Sequence, residues 1–467
     1  MYFNFDSSLL DEDAYGTRYV SYCCMHPFGE KFYLVIRPFQ ISDVVLMQRL
    51  GRQTTELNII QSLLQQGQGA RAHTVLWDSI QAAIPWNDGK ITTYVLEPRA
   101  NKNSLGTQHS NANGRDGKSK TSKSETSHHE HQFNHAGFIQ IQKRSGRPES
   151  DLLLIAPALD KPWGHPSIWE KLIAYTSQEA AKQGILRLYA DLPDQPLPVQ
   201  TFAQNGFIRY SRQTIWRLSV SRIEQLLSQF DINESTISPA IRGLQKSDEW
   251  GLRRLYSQVT PVPVQQAEGS QGGTSSTHER LKPPILEWVY AGSCRTYVLT
   301  SLSTHNNSPN IKQNNRSHHY GRNNKTSETK HNTLHGAIQI ASAARGIWLR
   351  LWVDTHNPDT TAIHELLRYA LWITKQQRLY QPFNATSFDG VRSQSLYIGV
   401  ADYQGGLSSI LDEYGFAPFT DRARLVKHVV QGIRVSQRAT VPVLQPAAEA
   451  IPTPYSVPQG SSRISQQ

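Results

Sequence analysis

Apolar and polar positions along the chain follow two periods, and they change over in a regular order. Phe32-Tyr33-Leu34-Val35-Ile36 is a short β-prone run and reads as a strand. Ser42 and Asp43 then offer an N-cap for a helix with apolar residues at Val45, Leu46 and Leu50. Thr93-Tyr94-Val95-Leu96 and Gly137-Phe138-Ile139-Gln140-Ile141 are two more strand-like runs. The near-continuous apolar run Leu152-Leu153-Leu154-Ile155-Ala156 suits a strand covered on both faces. A helix over 167–183 follows, striped by Ile168, Leu172, Ile173 and Tyr175, with Gly184 placed to end it. Residues 185–190 make another strand, and 199–204 a short helix closed by Asn205-Gly206. Phe207 begins a last strand pair that runs to Leu218. This order predicts an α/β fold around a mixed sheet.

The same landmarks then recur. Ile36-Arg37-Pro38-Phe39-Gln40-Ile41-Ser42-Asp43 is answered by Ile241-Arg242-Gly243-Leu244-Gln245-Lys246-Ser247-Asp248. Thr93-Tyr94-Val95-Leu96 returns as Thr296-Tyr297-Val298-Leu299, and Ile139-Gln140-Ile141 as Ile338-Gln339-Ile340. Asn205-Gly206-Phe207 is matched by Tyr414-Gly415-Phe416. A period this long points to two copies of a whole domain rather than a solenoid of small units. In the second copy the buried strand falls at 347–353, the long helix at 361–376 and the next strand at 396–401.

The opening Ile-Arg-Pro-Phe…Ser-Asp, the hairpin, the buried strand ending at Pro157 and the closing Gly-Phe together resemble the GNAT (Gcn5-related N-acetyltransferase) superfamily. The resemblance covers about residues 31–220 and 238–432. It implies two consecutive GNAT-like domains, each a mixed, mostly antiparallel sheet flanked by helices. Residues 1–30 would be an N-terminal extension, 221–237 a linker and 433–467 a disordered tail, with disordered insertions at about 99–135 and 303–335. It also implies an N-acetyltransferase that uses acetyl-CoA as cosubstrate. In such enzymes the cofactor arm enters where two parallel strands splay apart, and its pyrophosphate rests on a turn opening the long helix. Carried onto this sequence, the cofactor residues would be Ile155, Pro157, Lys161, Gly164, His165 and Ser167, with the first copy the binding half. Asp191, at the end of the strand lining the cleft, is the candidate base.

The residues depart from the family pattern in both copies. Of the family's glycine-rich turn only Gly164 remains, and Pro162 and Pro166 bring no N–H donors. The second turn, Asp354-Thr355-His356-Asn357-Pro358-Asp359-Thr360, has no glycine and carries two carboxylates. The family's proton-donating tyrosine falls on Phe202 and Leu411, and its frequent asparagine on Gln195 and Gln404. Both copies share an Ala-Asp pair, Ala190-Asp191 and Ala401-Asp402. Asp191 also suits a turn or cap. A non-catalytic pseudo-enzyme that binds a ligand or protein through the cleft therefore stands beside the acyltransferase. Arg37 and Arg242 read as edge charges, and Trp163, Trp169, Trp348 and Trp352 as packing residues.

Charge changes this picture little. The net charge is +10, but the first insertion holds six basic against three acidic residues and the second five against one, which accounts for +7. The surplus thus lies in Asn/Ser/Lys/His-rich tracts that cannot bury a core, without an aromatic platform for bases. Nucleic acid is not the expected partner; an amine acceptor, small molecule or protein, is, and the two domains are expected to pack on each other. His128, His129, His131, His318 and His319 read as incidental, with no metal site. Three cysteines form no disulfide framework, and no apolar run approaches the roughly 20 residues of a membrane helix, so the expected setting is the cytoplasm.

Overall fold

The computed structural model describes residues 9–12, 18–25, 31–65, 91–100, 135–144, 147–229, 237–269, 293–300, 333–343, 346–357, 359–380 and 394–429. All but the ends of both insertions, most of the 221–237 linker beyond its helix, the histidine tracts and the 433–467 tail lie outside them. The first half comprises β1 (Leu9–Glu12), β2 (Arg18–Met25), β3 (Lys31–Pro38), α1 (Val44–Leu50), β4 (Thr55–Glu56), α2 (Ile59–Gln65), β5 (Ile91–Ala100), β6 (Gly137–Lys143), β7 (Glu149–Ala156), α3 (Pro166–Lys182), β8 (Arg187–Pro193), α4 (Pro196–Gln204) and β9 (Ile208–Leu218). The second comprises α5 (Val220–Gln229), β10 (Ile241–Gly243), α6 (Glu249–Val259), α7 (Val262–Ala267), β11 (Ser293–Thr300), β12 (Leu334–Ala343), β13 (Gly346–Val353), α8 (Thr361–Tyr380), β14 (Ser395–Ala401), α9 (Leu407–Glu413) and β15 (Ala417–His428).

The strands form one sheet in the order β1-β2-β3-β5-β6-β7-β8-β15-β9-β14-β13-β12-β11-β10, with β4 pairing only β7. Parallel pairing occurs at β7–β8 and β13–β14, and the remaining pairs are antiparallel. The centre of this order is an exchange. β15, from the second half, lies between β8 and β9 of the first, while β9 pairs with β14 of the second. Each half completes the other's sheet. Residues 1–30 contribute β1 and β2, which extend the sheet beyond β3.

Side-chain alternation assigns the two faces. Tyr94 and Leu96 of β5 join a core with α3 and α4, whereas Val95 between them packs with α1. In the second half α5, α8 and α9 cover one face, and α6 packs on Val298, Ala337 and Trp352 on the other. Ile59 of α2 reaches across to Ile215, Trp348 and Tyr397. Gly206 and Gly415, at φ of +80° and +74°, end α4 and α9 with matching hydrogen bonds from the next residue: Phe207 N donates to Phe202 O, and Phe416 N to Leu411 O.

Three details differ from the sequence reading. Arg37 is not an edge charge: it is 6% exposed, and it grips Asp43 through both terminal nitrogens at 2.7 Å. Arg242 grips Asp248 in the same way at 2.6 and 2.8 Å. The two aspartates also accept from the backbone N–H of Gln40 and Gln245, so the repeated Arg…Gln…Asp spacing encodes a turn before α1 and again before α6. β5 continues to Ala100 because β3 pairs with it there, one residue past the start expected for the insertion. The two Ala-Asp pairs are not equivalent: Arg187 sits opposite Glu149 as Ser395 sits opposite Gly346, which matches Asp402 with Asp194 rather than Asp191.

Candidate functional site

β7 and β8 pair only from Glu149–Arg187 to Asp151–Tyr189 and part beyond. The gap beside Ile155 that the sequence leads one to expect is therefore formed, and the chain itself crosses it. Thr55 and Glu56 of β4 lie antiparallel to Ile155 and Leu154. Leu57 N donates to Leu153 O at 2.8 Å, and Asp191 N of β8 donates to Leu57 O at 2.8 Å. Ala158 N donates to Gln53 O at the far end, 2.6 Å away. The backbone groups that would face a cofactor's amides are paired with residues 53–57 instead. Leu57 anchors this strap, being 1% exposed in the core with Ile155 and Trp169.

The turn before α3 is closed in a similar way. Lys161 N donates to Ala158 O, Gly164 N to Lys161 O and Ser167 N to His165 Nδ1, the last serving as the N-cap of α3. Gly164 is required by close approach, since a Cβ there would stand 2.1 Å from Ala158 O. Pro157 O accepts from Trp169 Nε1 at 2.7 Å. Lys161 has its side chain near Asp160, at 3.4 Å, on the surface. Ile155, Pro157, Lys161, Gly164, His165 and Ser167 thus gather at one end of the gap. The N–H groups of Lys161, Gly164 and Ser167 serve the turn and Pro157 has none, so the group does not fit a pyrophosphate that needs several N–H groups aimed outward.

Asp191 has both carboxylate oxygens engaged. Arg422 Nε of β15 donates to Oδ1 at 2.8 Å, and Gln213 Nε2 to Oδ2 at 3.4 Å. Arg422 also donates to Glu56 O at 2.8 Å, so the pair clamps the strap from the second half's last strand. Phe202 and Leu411 are buried core residues.

In the second half β13 and β14 pair from Gly346–Ser395 to Leu349–Ile398 and then part. Among the described residues no strand enters this gap. Beside the start of α8, on the side of β10 to β12, a space of about 260 Å³ is lined by Asp354, Asp359 and Glu365. Asp359 Oδ1 accepts from Thr361 N at 3.0 Å, and these hydrogen bonds from Thr361 hold its carboxyl below the ordinary value. Such a turn repels phosphate.

Where the halves meet, a cavity of about 90 Å³ opens between Leu57, Tyr189, Asp191 and Tyr210 on one side and Trp348, Arg350, Leu351, Tyr403 and Arg424 on the other. Buried ion pairs frame it. Arg144 grips Asp151 at 2.7 and 2.8 Å and lies 4.0 Å from the Tyr189 ring centroid. Glu268 accepts from Tyr256 at 2.6 Å and pairs with Arg350 at 3.3 Å and Arg424 at 3.0 Å. Burial pushes the Glu268 carboxyl up, but the two arginines outweigh it and hold the group below the ordinary range. Burial raises the Tyr189, Tyr210 and Tyr403 hydroxyls, which keeps them protonated. Sequence reasoning missed this centre, because its members are scattered from Leu57 to Arg424 over both halves and carry no local motif.

The strand order, twice helix-covered with a parallel splay in each half, is a tandem GNAT-like fold. No protein-family model matches the sequence, and no curated protein matches it. Among solved structures, the chain is similar to a tandem GNAT protein from the clavulanic acid biosynthesis pathway, described as without AcCoA, at 11% identity over 85% of this chain and 99% of that one, with a TM-score of 0.39. It is also similar to a GCN5-related N-acetyltransferase from Anabaena variabilis, at 12% identity, 85% and 73% coverage and a TM-score of 0.31. A third is a GCN5-related N-acetyltransferase from Kribbella flavida, at 10% identity, 62% and 86% coverage and a TM-score of 0.30. These low scores describe a likeness of backbone and do not extend to activity. Among the described residues no helix is long and apolar enough to cross a membrane.

Proposed function

We propose that this chain is a non-catalytic, GNAT-like binding module whose first cofactor groove is filled by its own backbone. The observation that carries the reading is the strap at Thr55–Glu56, in antiparallel register with Ile155 and Leu154 where a cofactor arm would pair. Exposing Leu57 to admit acetyl-CoA would cost about 1.5–3 kcal/mol, lowering apparent affinity by about ten- to a hundredfold before any lost hydrogen bond is counted. The self-paired turn at Lys161–Ser167 and the engaged Asp191 carboxylate point the same way.

Acetyl-CoA-dependent N-acyl transfer is the second reading, and the splay beyond Leu349, which no strand enters among the described residues, favours it. Thermal unfolding with acetyl-CoA separates the two. The binding-module reading expects no saturable shift at millimolar cofactor and no thiol release with amine acceptors. A ligand at a hundred times its dissociation constant stabilises by about 2.7 kcal/mol, so a saturable shift of that order, lost in Leu351→Trp, would establish the acyltransferase instead.

A further inference from the structure

The seam between the halves presents more hydrogen-bond donors than the surrounding residues use. Arg424 pairs with Glu268 at 3.0 Å, and its guanidinium lies 5.0 Å from the Tyr210 ring centroid. A guanidinium carries five N–H donors, and Arg424 keeps 22% of its side chain uncovered while lining the cavity. Tyr210 lines the same cavity, and among the described residues nothing accepts a hydrogen bond from its hydroxyl. Donors facing an internal space call for an acceptor there. Trp348, Leu351 and Val259 line that space too, so carbon stands beside the donors. The volume, about 90 Å³, is smaller than the roughly 150 Å³ apolar cavity that admits benzene.

We propose that this cavity binds a short-chain monocarboxylate of about two to four carbons, its carboxylate received by Arg424 and Tyr210 and its hydrocarbon laid against Trp348 and Leu351. The assignment names the ligand of the binding module and rests on that reading.

The full-length protein is titrated with acetate, propionate and butyrate at fixed ionic strength, with chloride as control, by calorimetry and thermal unfolding. A saturable response to at least one carboxylate, absent with chloride, is expected. Tyr210→Phe keeps the ring and should weaken binding about tenfold, the scale of one hydrogen bond to a charged group. Arg424→Gln should abolish it. Ala401→Phe, which fills the cavity from β14, should abolish it too while unfolding remains cooperative. If Arg424→Gln does not fold, the other two variants carry the test. A response no larger than chloride's overturns the proposal, as does carboxylate binding unchanged in Tyr210→Phe and Ala401→Phe. Parallel titration with acetyl-CoA keeps the two readings apart: binding of the cofactor overturns the module itself, whereas silence to cofactor and carboxylates alike overturns only the ligand.

Discussion

Thr55 lies opposite Ile155, and that register puts the chain's own backbone where β7 and β8 part. The strap joins the two strands on both edges, because Leu57 N serves Leu153 of β7 and Leu57 O serves Asp191 of β8. The first half is thereby sealed from within, by a segment that in sequence precedes the hairpin.

If the strap is structural, its anchor matters to stability. Leu57→Ala leaves a cavity in the core beneath α3 and should cost about 2–5 kcal/mol in unfolding free energy, read from denaturant titration. A cost below 1 kcal/mol, as surface changes give, would show the strap to be loosely held.

Exchange of β9 and β15 makes the halves mutually dependent. A fragment ending within 230–236 lacks β15, and so leaves the edges of β8 and β9 unpaired in mid-sheet. The two fragments expressed apart should aggregate, and co-expressed they should elute together as one compact species in size-exclusion chromatography. Two monomeric, cooperatively folding fragments would contradict this.

The repeated arginine pairs should differ in strength. Arg37→Met strands Asp43 in a site 4% exposed and should cost about 3–5 kcal/mol, whereas Arg242, 30% exposed, should cost less. The second pair also carries a pH signature. Hydrogen bonding from Arg242 holds the Asp248 carboxyl below its ordinary value. A depressed folded value contributes stability above the unfolded value of about 3.9, and that contribution is lost as pH falls through the folded one. The difference in unfolding free energy between the wild type and Arg242→Met should therefore be level near neutrality and shrink in acid. A difference that grows on acidification would contradict the assignment.

Local patterning settled much of this protein before any coordinates. The apolar run at 152–156 became β7 and the stripe through Ile168, Leu172 and Ile173 became α3, because burial periodicity is a property of neighbouring residues. The recurrence of Arg…Gln…Asp and of Gly-Phe reported two copies, since each motif builds a turn whose hydrogen bonds close within a few residues. Tertiary structure decided the rest. Nothing local in Thr55-Glu56-Leu57 says that it will lie between β7 and β8, and Arg424 and Tyr210 meet only because β15 crosses into the other half. Pairing between distant strands is set by which edges remain open once all the elements are packed, and a sequence read window by window does not contain that information.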